Sequence, residues 1–371
     1  MLNSPHQSSI PLNLLLPSIF ITLTDPPAPP THTHTSSPHT HLPAPAPGLV
    51  IHEFDPWFNY RATVYLRDHG VEAFFKWYDH KVWYPLGRPV GTTIYPGMQL
   101  TSVAIWNALG ADDAVMSLND VCCYVPAWFG VLATAFLGML AYECTGSADV
   151  GAVASVLMAV VPAHIMRSVG GGYDNESIAM TAMCATFYFW ARSLRGNAAA
   201  AEKLRAFDAD AADPDKKLKK GGMAAAARER ARLLDDCNDS GSWVFGAVTG
   251  VAYIYMVAAW GGYIFVLNMI AFHAVALVAM GRYTPKLHKA YTLFYVIGTY
   301  GAIQVPVVGL TPLKSMEQLG ALGVFGIIQV RSVVHNVGGV LCVCACLFFC
   351  WGWAAQLSGP MSTCPPARPP A

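Results

Sequence analysis

Apolar and polar positions alternate in long blocks between residues 120 and 309. Each block is an apolar run of spanning length, followed by a short polar or glycine-containing break, and the runs lie at 120–143, 148–168, 177–195, 243–259, 262–281 and 288–309. Roughly 20 apolar residues cross the hydrocarbon core of a bilayer as a helix, so the pattern predicts six spans. A weaker apolar region at 321–353, interrupted by Arg331 and His335, predicts a seventh or eighth.

The segment in front of these runs has a different pattern. Residues 49–119 are aromatic and mixed in charge, and Asp55-Pro56 is typical of a helix that has Asp at its N-cap and Pro at its first position. That helix would end at Gly70, which fits the position after a helix C-terminus. Its aromatic, amphipathic character suits a membrane–water interface. We therefore expect 49–119 to be a long external loop with interfacial helices.

Three further segments have no spanning pattern. Residues 1–48 are rich in Pro, His and Thr and predict a disordered tail, and 354–371 predict a Pro-rich tail. Residues 196–242 are Ala-rich and hold nine basic and nine acidic residues, which predicts a charged cytosolic insertion. This insertion separates the first three spans, within 120–195, from the further spans, within 243–353.

Composition supports a membrane protein. The chain has 371 residues, of which 54% are hydrophobic and only 12% charged, and its mean hydropathy is +0.38, whereas soluble domains carry about 25% charged residues. The 23 basic and 23 acidic residues cancel, which excludes a nucleic-acid partner bound through bulk positive charge. The ten cysteines fall mostly in apolar runs, so we interpret them as packing residues. The predicted fold class is all-α, a polytopic transmembrane helix bundle.

Basic residues orient the bundle. Arg192 and Arg195 follow the third predicted span, and Arg282, Lys286 and Lys289 follow the fifth. Because Lys and Arg accumulate in cytoplasmic loops, those ends should face the cytoplasm. Two acidic segments, around Asp55 and at 174–176, then lie on the opposite face, since two spans separate them.

These acidic segments are the strongest candidates for chemistry. In extended backbone, residues i and i+2 project the same way, so Asp174 and Glu176 could offer oxygens to one cation, joined by Asp55. Carboxylates without thiol or imidazole partners suit a hard cation, Mg²⁺ or Mn²⁺. The alternative is purely structural, because acidic and small polar residues are common helix caps. A transporter would also place acidic residues and glycine breaks in a membrane.

Four segments together resemble the catalytic subunits of eukaryotic oligosaccharyltransferase. They are HEFDPWFNYR at 52–61, WYPLGR with YPG between 83 and 97, SVGGGYDNE at 168–176, and YMVAAWGGY at 255–263. The resemblance covers roughly residues 50–195 and 242–330. It implies a membrane glycosyltransferase fold of the GT-C-like type and an endoplasmic reticulum location with the acidic site on the lumenal side.

The resemblance also implies a reaction and a site. A preassembled oligosaccharide would pass from dolichyl diphosphate to the Asn side-chain amide of Asn-x-Ser/Thr, with other oligosaccharyltransferase subunits and the lipid bilayer as partners. Asp55, Asp174 and Glu176 match acidic residues at the metal, Mn²⁺ or Mg²⁺, and Asp55 would also contact the acceptor amide. Another dolichyl-phosphate-sugar-dependent transferase, or a chain that only folds into the complex, remains an alternative.

The sequence departs from that family in several places. The span expected before His52 is replaced by the Pro/His-rich tail, and 196–242 stands where a short connection is usual. The likeness fades after about residue 330, and no WWDYG segment occurs. We therefore expect the chain to correspond to the N-terminal membrane part of such a subunit, without acceptor recognition and with one catalytic carboxylate fewer.

Overall fold

The structure is a computed structural model, and it describes residues 49–111, 116–196 and 241–337, with short stretches between 202 and 233. The expectations for 1–48 and 354–371, for most of 196–242, and for the part of 321–353 beyond residue 337 lie outside the described residues. What the structure describes is almost entirely helical, in agreement with the predicted all-α class.

The predicted external loop contains helices α1 (Phe54–Phe75), α2 (Val90–Thr93) and α3 (Gly97–Ala108). Between α1 and α2 lies a small antiparallel pair of strands, β1 (Tyr78–Asp79) and β2 (Arg88–Pro89), which the sequence pattern did not predict.

The start and end of α1 differ from the prediction. Glu53, at φ 69°, is the N-cap, so Asp55 lies in the first turn. Pro56, at the third helical position and so two positions further in than predicted, is tolerated because first-turn N–H groups have no partner within the helix. Gly70, at φ 80° and ψ 173°, kinks α1 where the sequence predicted its end, and the helix then resumes to Phe75.

The apolar runs form the helices of a bundle. They are α4 (Leu118–Thr145), α5 (Ala148–Val160), α6 (Pro162–Ser168), α7 (Asn175–Leu194), α8 (Ser242–Ala259), α9 (Tyr263–Ala279) and α10 (Pro285–Gln304), followed by α11 (Thr311–Lys314) and α12 (Met316–Val337). Capping residues determine where several of these helices begin and end. Ser117 Oγ accepts a hydrogen bond from the Asp120 N–H at 3.2 Å, and Gly146, at φ 74°, ends α4 in the left-handed conformation.

Within the described residues, α4 and α8 are long and apolar enough to cross a membrane. The predicted run 148–168 is one span only as a bent pair, because α5 and α6 meet at 65°. Pro162 explains the bend, since proline lacks the N–H that would continue the helical hydrogen bonds. Helix α9 is apolar but has only 17 residues. The chain thus has the elements of a multi-pass membrane protein.

Small residues let the helices approach closely. A side-chain carbon added at Gly246 in α8 would lie 2.8 Å from the Cα of Ala290 in α10, and one added at Gly250 would lie 3.0 Å from Ile297. Without a hydrophobic driving force in lipid, such close backbone contact is a main source of helix association. Cys122, Cys123 and Cys184 are buried and free, which agrees with their interpretation as packing residues.

Candidate functional site

The two acidic segments are adjacent in the structure. The His52 N–H donates a hydrogen bond to the Gly171 carbonyl oxygen at 3.0 Å, and the Gly171 N–H donates to the carbonyl of Cys123 in α4 at 3.0 Å. Gly171 has φ +85°, and a side chain there would collide with the Val50 carbonyl oxygen. Glycine is therefore required for the backbones to approach this closely.

Asp174 and Glu176 begin helix α7. Asp174 is the N-cap, and its Oδ1 accepts a hydrogen bond from the Asn175 N–H at 2.7 Å, while Glu176 lies in the first turn. The helix N-terminus carries a partial positive charge, which stabilises both carboxylates there. The capping interpretation is thus correct for Asp174, but both side chains also have a second partner.

That partner is Arg167, at the end of α6. Its Nε lies 2.5 Å from Glu176 Oε2, and its Nη1 lies 3.7 Å from Asp174 Oδ2. The two carboxylates are only 28% and 32% exposed, and one arginine neutralises half of their charge. The sequence did not predict this contact, because nothing in the spacing of Arg167, Asp174 and Glu176 shows that their side chains meet.

Among the ion pairs of the described residues, Asp55 is not part of the cluster around Arg167. Its side chain is exposed in the first turn of α1, which is itself tied to the 171–174 turn. Across the residues that the structure describes, no three His, Cys, Asp or Glu side chains form a group that could hold a metal ion. The structure therefore brings two of the three predicted ligands together, and the meeting of all three at one ion stays a prediction.

The pair fits a hard cation in its donor chemistry. Arg167 touches both carboxylates, which shows that one positive group can be shared between them. Carboxylate oxygens are the preferred donors for Mg²⁺ and Mn²⁺. A bound cation would compete with the guanidinium for the same oxygens.

A buried polar cluster lies directly behind the acidic segments. Tyr173 is fully buried, and its hydroxyl donates to Ser102 Oγ at 2.7 Å and lies 2.9 Å from Thr63 Oγ1. Asn59 Nδ2 donates to the Tyr173 carbonyl at 3.3 Å, and Gln99 Nε2 donates to Asn59 Oδ1 at 3.2 Å. Burial raises the pKa of Tyr173, so its hydroxyl stays protonated at neutral pH. We name these five residues the Tyr173 cluster.

The Tyr173 cluster was missed at the sequence level. Asn59 follows Asp55 by one helical turn, and Tyr173 directly precedes Asp174, but nothing in that spacing shows that both are buried. The only signal in the sequence was the position of the two residues inside the HEFDPWFNYR and SVGGGYDNE segments.

The remaining resemblance segments pack around the same end of the bundle. Arg61 of the first segment donates to Asp79 Oδ1 at 3.0 Å, which connects it to strand β1. Arg88 of the second lies over the rings of Phe58, at 5.5 Å, and Trp83, at 5.1 Å. In the fourth, the hydroxyl of Tyr255 lies 2.8 Å from Thr101 Oγ1 in α3. All four segments thus build one region.

Comparison with known proteins agrees with this arrangement. Residues 47–343 match the family model described as oligosaccharyl transferase STT3, N-terminal. The chain is 39% identical over 293 residues to the dolichyl-diphosphooligosaccharide–protein glycosyltransferase subunit stt3 of Schizosaccharomyces pombe, covering 79% of this chain and 33% of that protein. It is 36% identical over 286 residues to the corresponding subunit of Caenorhabditis elegans, covering 77% and 32%.

Solved structures show the same fold at low identity. The archaeal oligosaccharyltransferase AglB from Archaeoglobus fulgidus, in complex with an inhibitory peptide and a dolichol-phosphate, superposes with a TM-score of 0.53 at 17% identity. That match covers 82% of this chain and 32% of the archaeal chain. The complex of the Archaeoglobus fulgidus oligosaccharyltransferase with Zn and sulfate gives 0.52 at 17% identity, covering 82% and 35%.

The chain spans about a third of the length of the curated relatives that it matches. The family model nevertheless covers most of the chain, including all four resemblance segments, and the identity to the curated subunit of Schizosaccharomyces pombe extends over 79% of the chain. The chain therefore belongs to the STT3 family of oligosaccharyl transferases, as a match to the N-terminal region of that family.

Proposed function

We propose that this chain takes part in transferring a preassembled oligosaccharide from dolichyl diphosphate to the Asn side-chain amide of Asn-x-Ser/Thr. The observation that carries the proposal is the backbone bond between His52 and Gly171, which holds the Asp55 segment beside the Asp174 segment. Membership of the STT3 family and the names of the curated relatives support the reaction class. The partners would be other oligosaccharyltransferase subunits in the endoplasmic reticulum membrane, with the acidic region facing the lumen.

The acidic residues divide the chemistry between them. Asp174 and Glu176, joined by Asp55, would hold Mn²⁺ or Mg²⁺ as oxygen donors, in place of the Arg167 guanidinium. When bound, the cation would supply Lewis-acid stabilisation of the negative charge that develops on the departing diphosphate.

Asp55 would act on the acceptor. An amide nitrogen is a poor nucleophile because its lone pair is delocalised into the carbonyl. The exposed carboxylate of Asp55 would accept the N–H hydrogens of the acceptor amide, which orients the nitrogen and reduces that delocalisation. Its exposure in the first turn of α1 leaves it open to a peptide arriving from the aqueous side.

A transfer assay tests the proposal. An STT3-family subunit that contains this region, purified from membranes with its companion subunits, is given a dolichyl-diphosphate-linked oligosaccharide and a fluorescent Asn-x-Thr peptide, and the rates of Asp55→Asn and Asp174→Asn are compared with wild type. We expect a rate loss of about 100-fold or more for each, the size typical of losing a group that stabilises transition-state charge.

The matched control is Asp68→Asn. Asp68 lies in the same helix as Asp55, is exposed, and pairs with its neighbour Arg67 at 2.8 Å, so its loss should leave the rate within about twofold. Undiminished transfer by both site variants would refute the assignment of these carboxylates. A glycan linked to Ser or Thr oxygen would instead refute the proposed acceptor.

A further inference from the structure

The Tyr173 cluster connects three segments that are distant in sequence. Asn59 and Thr63 come from α1, Gln99 and Ser102 from α3, and Tyr173 from the turn before α7. All five side chains are at most 6% exposed. Buried polar groups are usually hydrogen-bonded, and each of these five side chains makes at least one hydrogen bond within the cluster, although Gln99 Oε1 has no partner among the described residues. Such a network favours one arrangement of its segments.

The Tyr173 cluster is hydrogen-bonded to the backbone directly beside the acidic residues. The Tyr173 carbonyl that accepts the hydrogen bond from Asn59 belongs to the peptide group that carries the N–H of Asp174. Asn59 itself lies one helical turn beyond Asp55, on the same side of α1. The amide of Asn59 therefore joins the helix of one acidic residue to the backbone of another.

The hydroxyl of Tyr173 adds a second attachment. It bonds Ser102 in α3 and lies beside Thr63 in α1, so one side chain contacts two of the three helices of the external region. The carbonyl and the hydroxyl of a single residue thus restrain α1 at two points, one turn apart. Rotation of α1 about its own axis, which would turn Asp55 away, requires breaking both.

We propose that Asn59 and Tyr173 are positioning residues that hold Asp55 at a set distance from Asp174. The inference rests on the proposed function, because the distance between Asp55 and Asp174 matters for activity only if both carboxylates take part in the transfer. Neither residue touches the reacting groups, and both act through the backbone that carries the carboxylates. Loss of either should loosen the pairing of the two acidic segments and weaken the site for a divalent cation.

The test uses Asn59→Leu, which keeps the shape but removes both hydrogen bonds, and Tyr173→Phe, which removes only the hydroxyl. The control is Tyr291→Phe, because Tyr291 is equally buried and its hydroxyl donates to the Ala321 carbonyl at 2.9 Å, away from the acidic segments. The full chain in lipid nanodiscs is titrated with Mn²⁺, and free Mn²⁺ is followed by electron paramagnetic resonance.

We expect the Mn²⁺ dissociation constant to rise about tenfold for Asn59→Leu and about threefold for Tyr173→Phe, since residues that orient metal ligands typically affect affinity by 10- to 100-fold. The Mn²⁺ dissociation constant of Tyr291→Phe should stay within about twofold of wild type, even if its melting temperature falls as far as that of Tyr173→Phe. Equal weakening in all three variants, or none in the first two, would overturn the proposal.

Hydrogen exchange gives a readout that needs no metal. The His52 amide is bonded to Gly171, so peptides covering 50–60 and 169–176 should exchange faster in Asn59→Leu but not in Tyr291→Phe. If wild type binds no Mn²⁺, the metal site of the proposed function fails, and this exchange difference alone decides the positioning role. Unchanged protection in Asn59→Leu would then contradict it.

Discussion

The two ends of helix α7 carry opposite ion clusters. At its N-terminus two carboxylates, Asp174 and Glu176, share the single guanidinium of Arg167. At its C-terminus two guanidiniums, from Arg192 and Arg195, share the single carboxylate of Glu143, at 3.3 and 2.8 Å. The helix has 20 residues, so the clusters lie about 30 Å apart. We call them the acidic end and the basic end.

The difference lies in what each cluster leaves unsatisfied. Glu143 is only 5% exposed and is fully compensated, and its arginines also lie over Tyr142 and Phe245. The acidic end keeps one uncompensated negative charge on side chains that are about 30% exposed. Each cluster carries one charge in excess, negative at the acidic end and positive at the basic end. At the basic end the buried group is a carboxylate held between two cations, which favours stability. At the acidic end the part-exposed carboxylates are the excess groups, and these can accept a cation. We therefore expect the same kinds of residue to serve structure at the basic end and cation binding at the acidic end.

The largest effect should come from removing the donors at the acidic end. In Asp174→Asn/Glu176→Gln, we expect Mn²⁺ affinity to fall about 100-fold, at least as much as when residues that merely orient ligands are lost. The measurement is Mn²⁺ titration by electron paramagnetic resonance. Glu143→Gln, read in the same titration, should leave the affinity unchanged. An equal loss in Glu143→Gln would remove the distinction between the ends.

Breaking the basic end should mainly reduce stability. Glu143→Gln leaves two arginines without their carboxylate, and breaking a buried pair typically destabilises by about 3–5 kcal/mol. Because the arginines are 40% and 32% exposed, we expect about 2 kcal/mol, measured as a lower melting temperature in detergent micelles. Should Asp174→Asn/Glu176→Gln destabilise the chain as strongly, the acidic end would be structural as well.

A smaller effect should follow from Arg167→Gln. Removing the internal cation frees both carboxylates, so Mn²⁺ should bind about threefold more tightly, the size expected for losing a part-exposed ion pair. Arg192→Gln serves as the matched control, since it removes one arginine from the other end. Weaker Mn²⁺ binding in Arg167→Gln would mean that the guanidinium supports the cation site instead of competing with it.

The smallest effect should come from an exposed pair outside both ends. Lys76 and Glu72 lie 2.6 Å apart at the C-terminal end of α1 but are 73% and 86% exposed, so solvent screens their attraction. Glu72→Gln should therefore change neither the melting temperature nor Mn²⁺ affinity measurably. A clear change in either would show that charge in the external region matters beyond the two ends.

Much of the helical order was readable from local sequence. The runs at 120–143, 177–195, 243–259 and 262–281 each coincide with a helix to within about two residues, because apolar length and composition are properties of a contiguous segment. The run at 288–309 matches less well, since its helix begins at Pro285 and ends at Gln304. The sequence also shows where the prolines are, Pro162 inside the run 148–168 and Pro56 directly after Asp55. The 65° bend at Pro162 and the first-turn placement of Asp55 became apparent only in the folded chain. A proline limits what the backbone can do, but packing selects among the remaining conformations.

The sequence by itself determined the helical class, the approximate positions of the helices and the acidic residues at the starts of α1 and α7. The tertiary structure decided the sharing of Arg167 by two carboxylates, the exposure of Asp55 in the first turn of α1 and the burial of the Tyr173 cluster. The physical reason is the distance along the chain over which each kind of interaction acts. Periodicity, caps and composition act over a few residues, whereas Asn59 meets Tyr173 across 114 positions of chain, a contact that exists only after the helices have packed.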